Sequence, residues 1–135
     1  MRAKPLLLTM GDACGIGPET IVKAFARGTA AGCVIVGDVQ ALRRASALLA
    51  PQPPLAVLDA VSQITDVPPG CLALWQPPGL PAGLADLPWG QVHRDSGQAA
   101  LLCIESAVRL VLAGDASALV TAPVHKEALA AAGSP

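Results

Sequence analysis

Tyrosine is absent from this chain, and two tryptophans and one phenylalanine are its only aromatic residues. The formal net charge is −1, so there is no basic excess either. These two shortages remove the stacking platform and the cationic groove that nucleic-acid binding needs. Charged residues make up only 14% of the chain and apolar ones 53%, enough apolar surface for a core and too little charge for a disordered segment. Small molecules or another protein subunit are the partners such a composition suits.

Other absences narrow the class further. The four cysteines, Cys14, Cys33, Cys71 and Cys103, form no Cys-x-x-Cys pair, a pattern that suits reduced thiols better than a disulfide framework or a zinc site. No apolar run approaches the roughly 20 residues of a membrane span. Pro5-Leu6-Leu7-Leu8 is too short for the apolar region of a signal peptide and runs straight into glycine and aspartate. The expected location is the cytoplasm. At 135 residues the chain is one domain, or part of a larger one.

What is present is organised around Thr9-Met10-Gly11-Asp12-Ala13-Cys14-Gly15-Ile16-Gly17-Pro18-Glu19-Thr20. An apolar run precedes it and a segment of helical period, from Ile21 to Ala26, follows. Strand, glycine-rich turn, helix is the natural reading, with Gly11, Gly15 and Gly17 shaping the turn and Pro18 at the first helical position. No Lys-Ser/Thr follows the last glycine, so this is not a P-loop. The third glycine of the dinucleotide fingerprint is missing too, since Pro18-Glu19-Thr20 follows Gly17. A bare turn and an anion-binding turn both remain open on spacing alone.

The pattern then repeats. The first helix is expected from Pro18 to about Arg27, ending at Gly28. Cys33-Val34-Ile35-Val36 reads as a strand buried on both faces. Asp38 is a cap for a helix from Val39 to about Leu49, with Leu42, Ala45 and Leu49 on one face, Arg43 and Arg44 pointing elsewhere, and Pro51 as its stop. Leu55–Leu58 and Cys71–Trp75 look like further strands. The proline-rich loop 76–90 carries Pro77, Pro78, Pro81 and Pro88 and cannot be a helix interior; linker, edge excursion and binding loop are equally open. Asp95-Ser96-Gly97-Gln98 reads as a capping box. A helix of about five turns follows it, with Leu101, Ile104, Val108 and Val111 as its buried stripe and Glu105–Arg109 as an exposed pair. Gly114 closes that helix, Ala118-Leu119-Val120 is expected as a buried strand, and Lys126 begins another helix. Strands alternating with helices predict an α/β fold with a parallel sheet flanked by helices.

Two strand-end turns, Gly11 to Glu19 and Thr121 to Lys126, would open on the same edge of such a sheet. Asp12 can bind a cation or a substrate hydroxyl, or simply hold the turn's own N–H groups. Lys126 can neutralise a phosphate and His125 can donate a proton or a hydrogen bond; plain solvation and a satisfied histidine are the alternatives. Glu19 complements the helix dipole. His93 and His125 have no carboxylate at helical spacing from both, so they make no metal site.

The stretch Gly11 to Glu19, taken with Val120-Thr121-Ala122-Pro123-Val124-His125-Lys126-Glu127-Ala128-Leu129 and with Asp95-Ser96-Gly97 ahead of a long helix, resembles the 4-hydroxythreonine-4-phosphate dehydrogenase family of vitamin B6 biosynthesis. That resemblance implies NAD-dependent oxidation and decarboxylation of a phosphorylated hydroxy acid, with a divalent metal (zinc, magnesium or cobalt) stabilising the enolate. It also implies an isocitrate/isopropylmalate dehydrogenase-like fold of two lobes, with the cleft shared across a homodimer. Asp12, His125 and Lys126 are the cleft candidates it suggests. Ala13 and Cys14 replace the Pro-Ala pair common in the family, so a related phosphorylated sugar acid, a threonate or erythronate phosphate, is an alternative substrate. The other alternative is a non-catalytic α/β binding or dimerisation module.

The resemblance spans all of residues 1–135 but only an amino-terminal portion of the family's length. Members continue into a Gly-His-Thr-Glu segment, three metal-binding histidines and further phosphate-binding residues, none of which occurs here. The expectation is therefore an incomplete fold, no metal ligands in this chain, and no dehydrogenase activity from these residues alone.

Overall fold

The computed structural model describes residues 4–28 and 32–123, together with Glu127, Ala130, Ala132 and Gly133. Five short strands form one sheet: β1 (Leu6–Thr9), β2 (Cys33–Val36), β3 (Leu55–Leu58), β4 (Leu72–Trp75) and β5 (Ala118–Thr121). Their order is β3-β4-β2-β1-β5 and every pairing is parallel. Leu7, Val34 and Leu74 are fully buried in the strands at the centre. Each such side chain contributes about 1.5–3 kcal/mol relative to exposure.

Among the described residues three α-helices complete the layers: α1 (Gly17–Ala26), α2 (Val39–Ser46) and α3 (Arg94–Leu112). The connections β1-α1-β2 and β2-α2-β3 run in one direction across the sheet, while β3-β4 and β4-α3-β5 run back. Right-handed crossovers therefore put α1 and α2 on one face and α3 on the other. In agreement, α1 packs on α2, and α3 on β1 and β5.

Local chemistry explains most of the boundaries. Arg27 ends α1 and Gly28 follows at φ +79°, the left-handed conformation glycine adopts most easily. Asp38 caps α2 as expected, its side chain accepting from the Ala41 N–H at 2.8 Å. The helix stops at Ser46, short of the expected Leu49, because Leu48 and Leu49 donate to Ala45 and Ser46 in tighter three-residue turns.

Four expectations need correction. The cap of α3 is His93, not Asp95: His93 is extended and its Nδ1 accepts from the Asp95 N–H at 3.1 Å, which moves Asp95 into the first turn. The buried face of α3 is made of Ala99, Ala100, Cys103, Ser106 and Ala107, while Val108 is 38% exposed and Leu101 and Ile104 are half-buried. Small side chains let the helix sit close to the sheet, and periodicity alone favoured the larger ones. β5 is an edge strand among the described residues and its Val120 is 49% exposed, not buried. Arg44, expected to point away from the packed face, is partly buried and engages two other segments.

The helix expected from Lys126 lies largely outside the described residues. Among the described residues no helix is long and apolar enough to cross a membrane.

Candidate functional site

The carboxyl ends of β1 and β5 lie side by side, in register from Leu6 opposite Ala118 to Thr9 opposite Thr121. The turns that leave them are joined by backbone hydrogen bonds. Ala122 N–H donates to Thr9 O at 3.0 Å, and Asp12 N–H donates to Pro123 O at 3.1 Å. The glycine turn and the start of the second turn, Ala122 and Pro123, thus meet at the carboxyl edge of the sheet, while residues 124–126 of the second turn lie outside the described residues.

Glycine is required there by close packing. At Gly11, φ is +72° and a side chain would overlap the Pro123 carbonyl oxygen. At Gly17 it would overlap the carbonyl of Met10. The missing side chains leave room for protein carbonyls. They therefore do not form a pyrophosphate cradle, and the described residues do not fit a dinucleotide site of fingerprint type.

Asp12 is 4% exposed, and its Oδ1 accepts from the Cys14 N–H at 2.8 Å. It holds the turn from within. Glu19 pairs with Lys23 at 2.9 Å one turn on, while Ile16 precedes α1 with no side-chain cap. Pro18 occupies the first turn of α1, which begins one residue earlier than expected. Thr9, fully buried at the end of β1, has an Oγ1 with no hydrogen-bond partner among the described residues. His125 and Lys126, the other two candidates, lie outside the described residues.

The proline-rich loop docks onto this edge. Gln76 Oε1 accepts from the Val39 N–H at 2.8 Å, Leu84 is buried, and Gly90 N–H donates to Cys14 O at 2.6 Å. Between the loop and the turn lies a depression of about 160 Å³, lined by Cys14, Gly15, Ile16, Pro18, Trp89 and Gly90, among others. Arg44, which links the glycine turn to the loop through the carbonyls of Ala13, Ala85 and Leu87, was missed from the sequence. A lone arginine on an amphipathic helix carries no signal of the carbonyls it will meet. Burial pushes the Cys14 thiol up from its ordinary pKa, against a hydrogen bond from Ser96 and the Arg44 charge. Cys103, deeper in the core and near Asp38, is pushed up to about 12.

All four cysteines are free. Among the described residues no group of three His, Cys, Asp or Glu side chains can hold a metal ion.

A parallel sheet flanked by helices, with the turns after β1 and β5 tied together at its carboxyl edge, defines the class: an α/β protein of the parallel-sheet type. Residues 29–135 match the family model described as Pyridoxal phosphate biosynthetic protein PdxA, and the chain belongs to that family. It is 38% identical over 134 residues to a D-threonate 4-phosphate dehydrogenase of Pectobacterium atrosepticum, covering 97% of this chain and 40% of that one. It is 37% identical over 145 residues to a 4-hydroxythreonine-4-phosphate dehydrogenase of Desulfosudis oleivorans, covering 99% of this chain and 40% of that one. A crystal structure of 4-hydroxythreonine-4-phosphate dehydrogenase from Klebsiella pneumoniae superposes with a TM-score of 0.85 at 38% identity, over 97% of this chain and 40% of that one. These relatives also cover the Gly11–Glu19 turn, ahead of the family match. The chain spans about 40% of the length of the relatives it matches.

Proposed function

We propose that the protein is an NAD-dependent dehydrogenase that oxidises and decarboxylates 4-hydroxy-L-threonine 4-phosphate in pyridoxal phosphate biosynthesis. The residues of this chain form one wall of its cleft. Family membership and the names of the relatives support the reaction class. The observation that carries the site is the hydrogen bond from Asp12 N–H to Pro123 O, which ties the two turns into one surface.

In this reading Asp12 keeps the turn in shape, and the uncapped start of α1 faces anionic substrate groups. Lys126 and His125 supply a cation and a hydrogen-bond donor to the phosphate. The nicotinamide dinucleotide and the divalent metal are held by other residues of the intact protein, and no step is assigned to them here. A homodimer sharing the cleft and a cytoplasmic location complete the proposal.

A second substrate has a specific observation in its favour. Relatives of comparable identity are named D-threonate 4-phosphate dehydrogenases. The two acids differ at one carbon, which bears an amino group in one and a hydroxyl in the other, and share the phosphate. The test uses the product of the whole reading frame, supplied with NAD, a divalent metal and each acid in turn. A higher kcat/KM for NADH formation with the hydroxythreonine phosphate supports the first reading, and a higher value with threonate phosphate selects the second. No NADH with either acid would leave a non-catalytic α/β module.

A further inference from the structure

Arg44 lies on the rigid α2 helix, six residues past its Asp38 cap, and its side chain reaches two segments that are distant in sequence. Nη1 donates to the carbonyl oxygens of Ala85 and Leu87, both at 2.7 Å, and Nη2 donates to the carbonyl of Ala13 at 3.0 Å. The guanidinium carbon sits 4.7 Å from the centroid of the Trp89 ring. Among the described residues no carboxylate forms an ion pair with it. A partly buried charge is thus committed to three backbone carbonyls and one aromatic face. Only an arginine can do this, because its planar fork carries several donors in fixed directions while one face stacks.

These contacts join the two sides of the depression beside the glycine turn. Ala13 precedes the lining residue Cys14 on the glycine turn, and Ala85 and Leu87 belong to the strap that carries the lining residues Trp89 and Gly90; the Gly90 N–H to Cys14 O bond closes the seam between them. We infer that Arg44 is a positioning residue, a clamp that holds the 84–90 strap on the Gly11–Gly17 turn and so sets the shape of the substrate-facing wall. The substrate-facing part of this inference rests on the proposed function; the clamp itself does not.

The test compares thiol labelling at Cys14 and Cys103 in the intact protein, resolved by mass spectrometry. Both side chains are buried, at 1% and 0% exposure, but only Cys14 lies at the seam. Arg44→Met keeps the apolar stem and removes the fork. It should speed maleimide labelling of Cys14 at least about tenfold, the scale of one lost hydrogen bond to a charged group, and leave Cys103 unchanged. Arg44→Lys should shift Cys14 in the same direction, since one ammonium cannot span three carbonyls and a ring face. Losing the guanidinium disfavours the Cys14 thiolate, so charge alone would slow the reaction and a faster rate reports opening. An unchanged Cys14 rate, or an equal rise at both thiols, overturns the clamp. If Arg44→Met does not fold, Arg44→Lys serves by itself: a rise confined to Cys14 supports the clamp, and no rise overturns it. Where the labelling result holds but Arg44→Lys leaves KM and kcat of the intact enzyme at wild-type values, the substrate-facing role is overturned while the clamp stands.

Discussion

The hollow at the amino ends of the strands and the depression beside the glycine turn differ in a way that size alone would misreport. At the amino ends of β2 and β4 there is an open hollow of about 540 Å³, lined by Phe25, Cys33, Ile64, Val67, Pro68 and Cys71, among others. Beside the glycine turn at the carboxyl end the depression is about 160 Å³, and a more open one of about 620 Å³ lies apart from it where β3 and β4 end. The hollow at the amino ends is mostly apolar and has no converging set of polar side chains. The depression beside the turn is bordered by backbone tied by Asp12, Arg44 and the Gly90–Cys14 bond. In a parallel sheet, chemistry follows the strand ends where turns and helix starts present their polar groups, not the volume of the hollow.

The comparison breaks most sharply on one substitution made at both ends. Gly17→Ala would drive a methyl group into the Met10 carbonyl, and Gly11→Ala would meet Pro123 in a left-handed backbone. Each should cost about 3 kcal/mol or more, beyond the usual range for overpacking because the obstacle is backbone. Gly70 borders the amino-end hollow at φ +87° with nothing within 4 Å of the added carbon. Gly70→Ala should cost only about 1–2 kcal/mol, from backbone conformation alone. Urea unfolding of the three variants decides; equal losses at both ends would erase the contrast.

Next in size is Asp12→Ala, which leaves the Cys14 N–H without its acceptor and should cost about 1–3 kcal/mol. Asp12→Asn keeps an acceptor oxygen and should recover most of that loss in the same melts. Asp38→Ala uncaps the helix that carries Arg44 and should cost about 1 kcal/mol. Amide exchange should then rise first at Ala41. Smallest is Glu105→Ala, which removes an exposed pair at 3.7 Å far from either hollow. A change of no more than about 0.5 kcal/mol in the melting analysis is expected; a larger one would mean the α3 surface matters more than its exposure suggests.

Much of this was legible beforehand, and the reasons are local. Asp38 caps because a short acceptor before an apolar helical run has few other uses. Val34 to Val36 are buried because an unbroken apolar run between glycines has no solvent face. The misjudged elements turned on neighbours. His93 took the cap of α3 from Asp95 through its extended backbone. Ala99, Cys103 and Ala107 took the buried face from larger residues because α3 lies close on the sheet. Arg44 reads as one more surface cation until Ala13, Ala85 and Trp89 are brought to it.

The sequence by itself determined the alternation of strands and helices, the glycine turn after β1, and a likeness to one enzyme family. Each of these is written in short-range pattern and spacing. Only the tertiary structure decided that Gly11 makes room for the carbonyl of Pro123, and that Arg44 closes the seam beside it. Those facts depend on which segments the fold brings together, and no local pattern encodes contacts between residues 112 apart, as Gly11 and Pro123 are, or 31 apart, as Arg44 and Ala13 are.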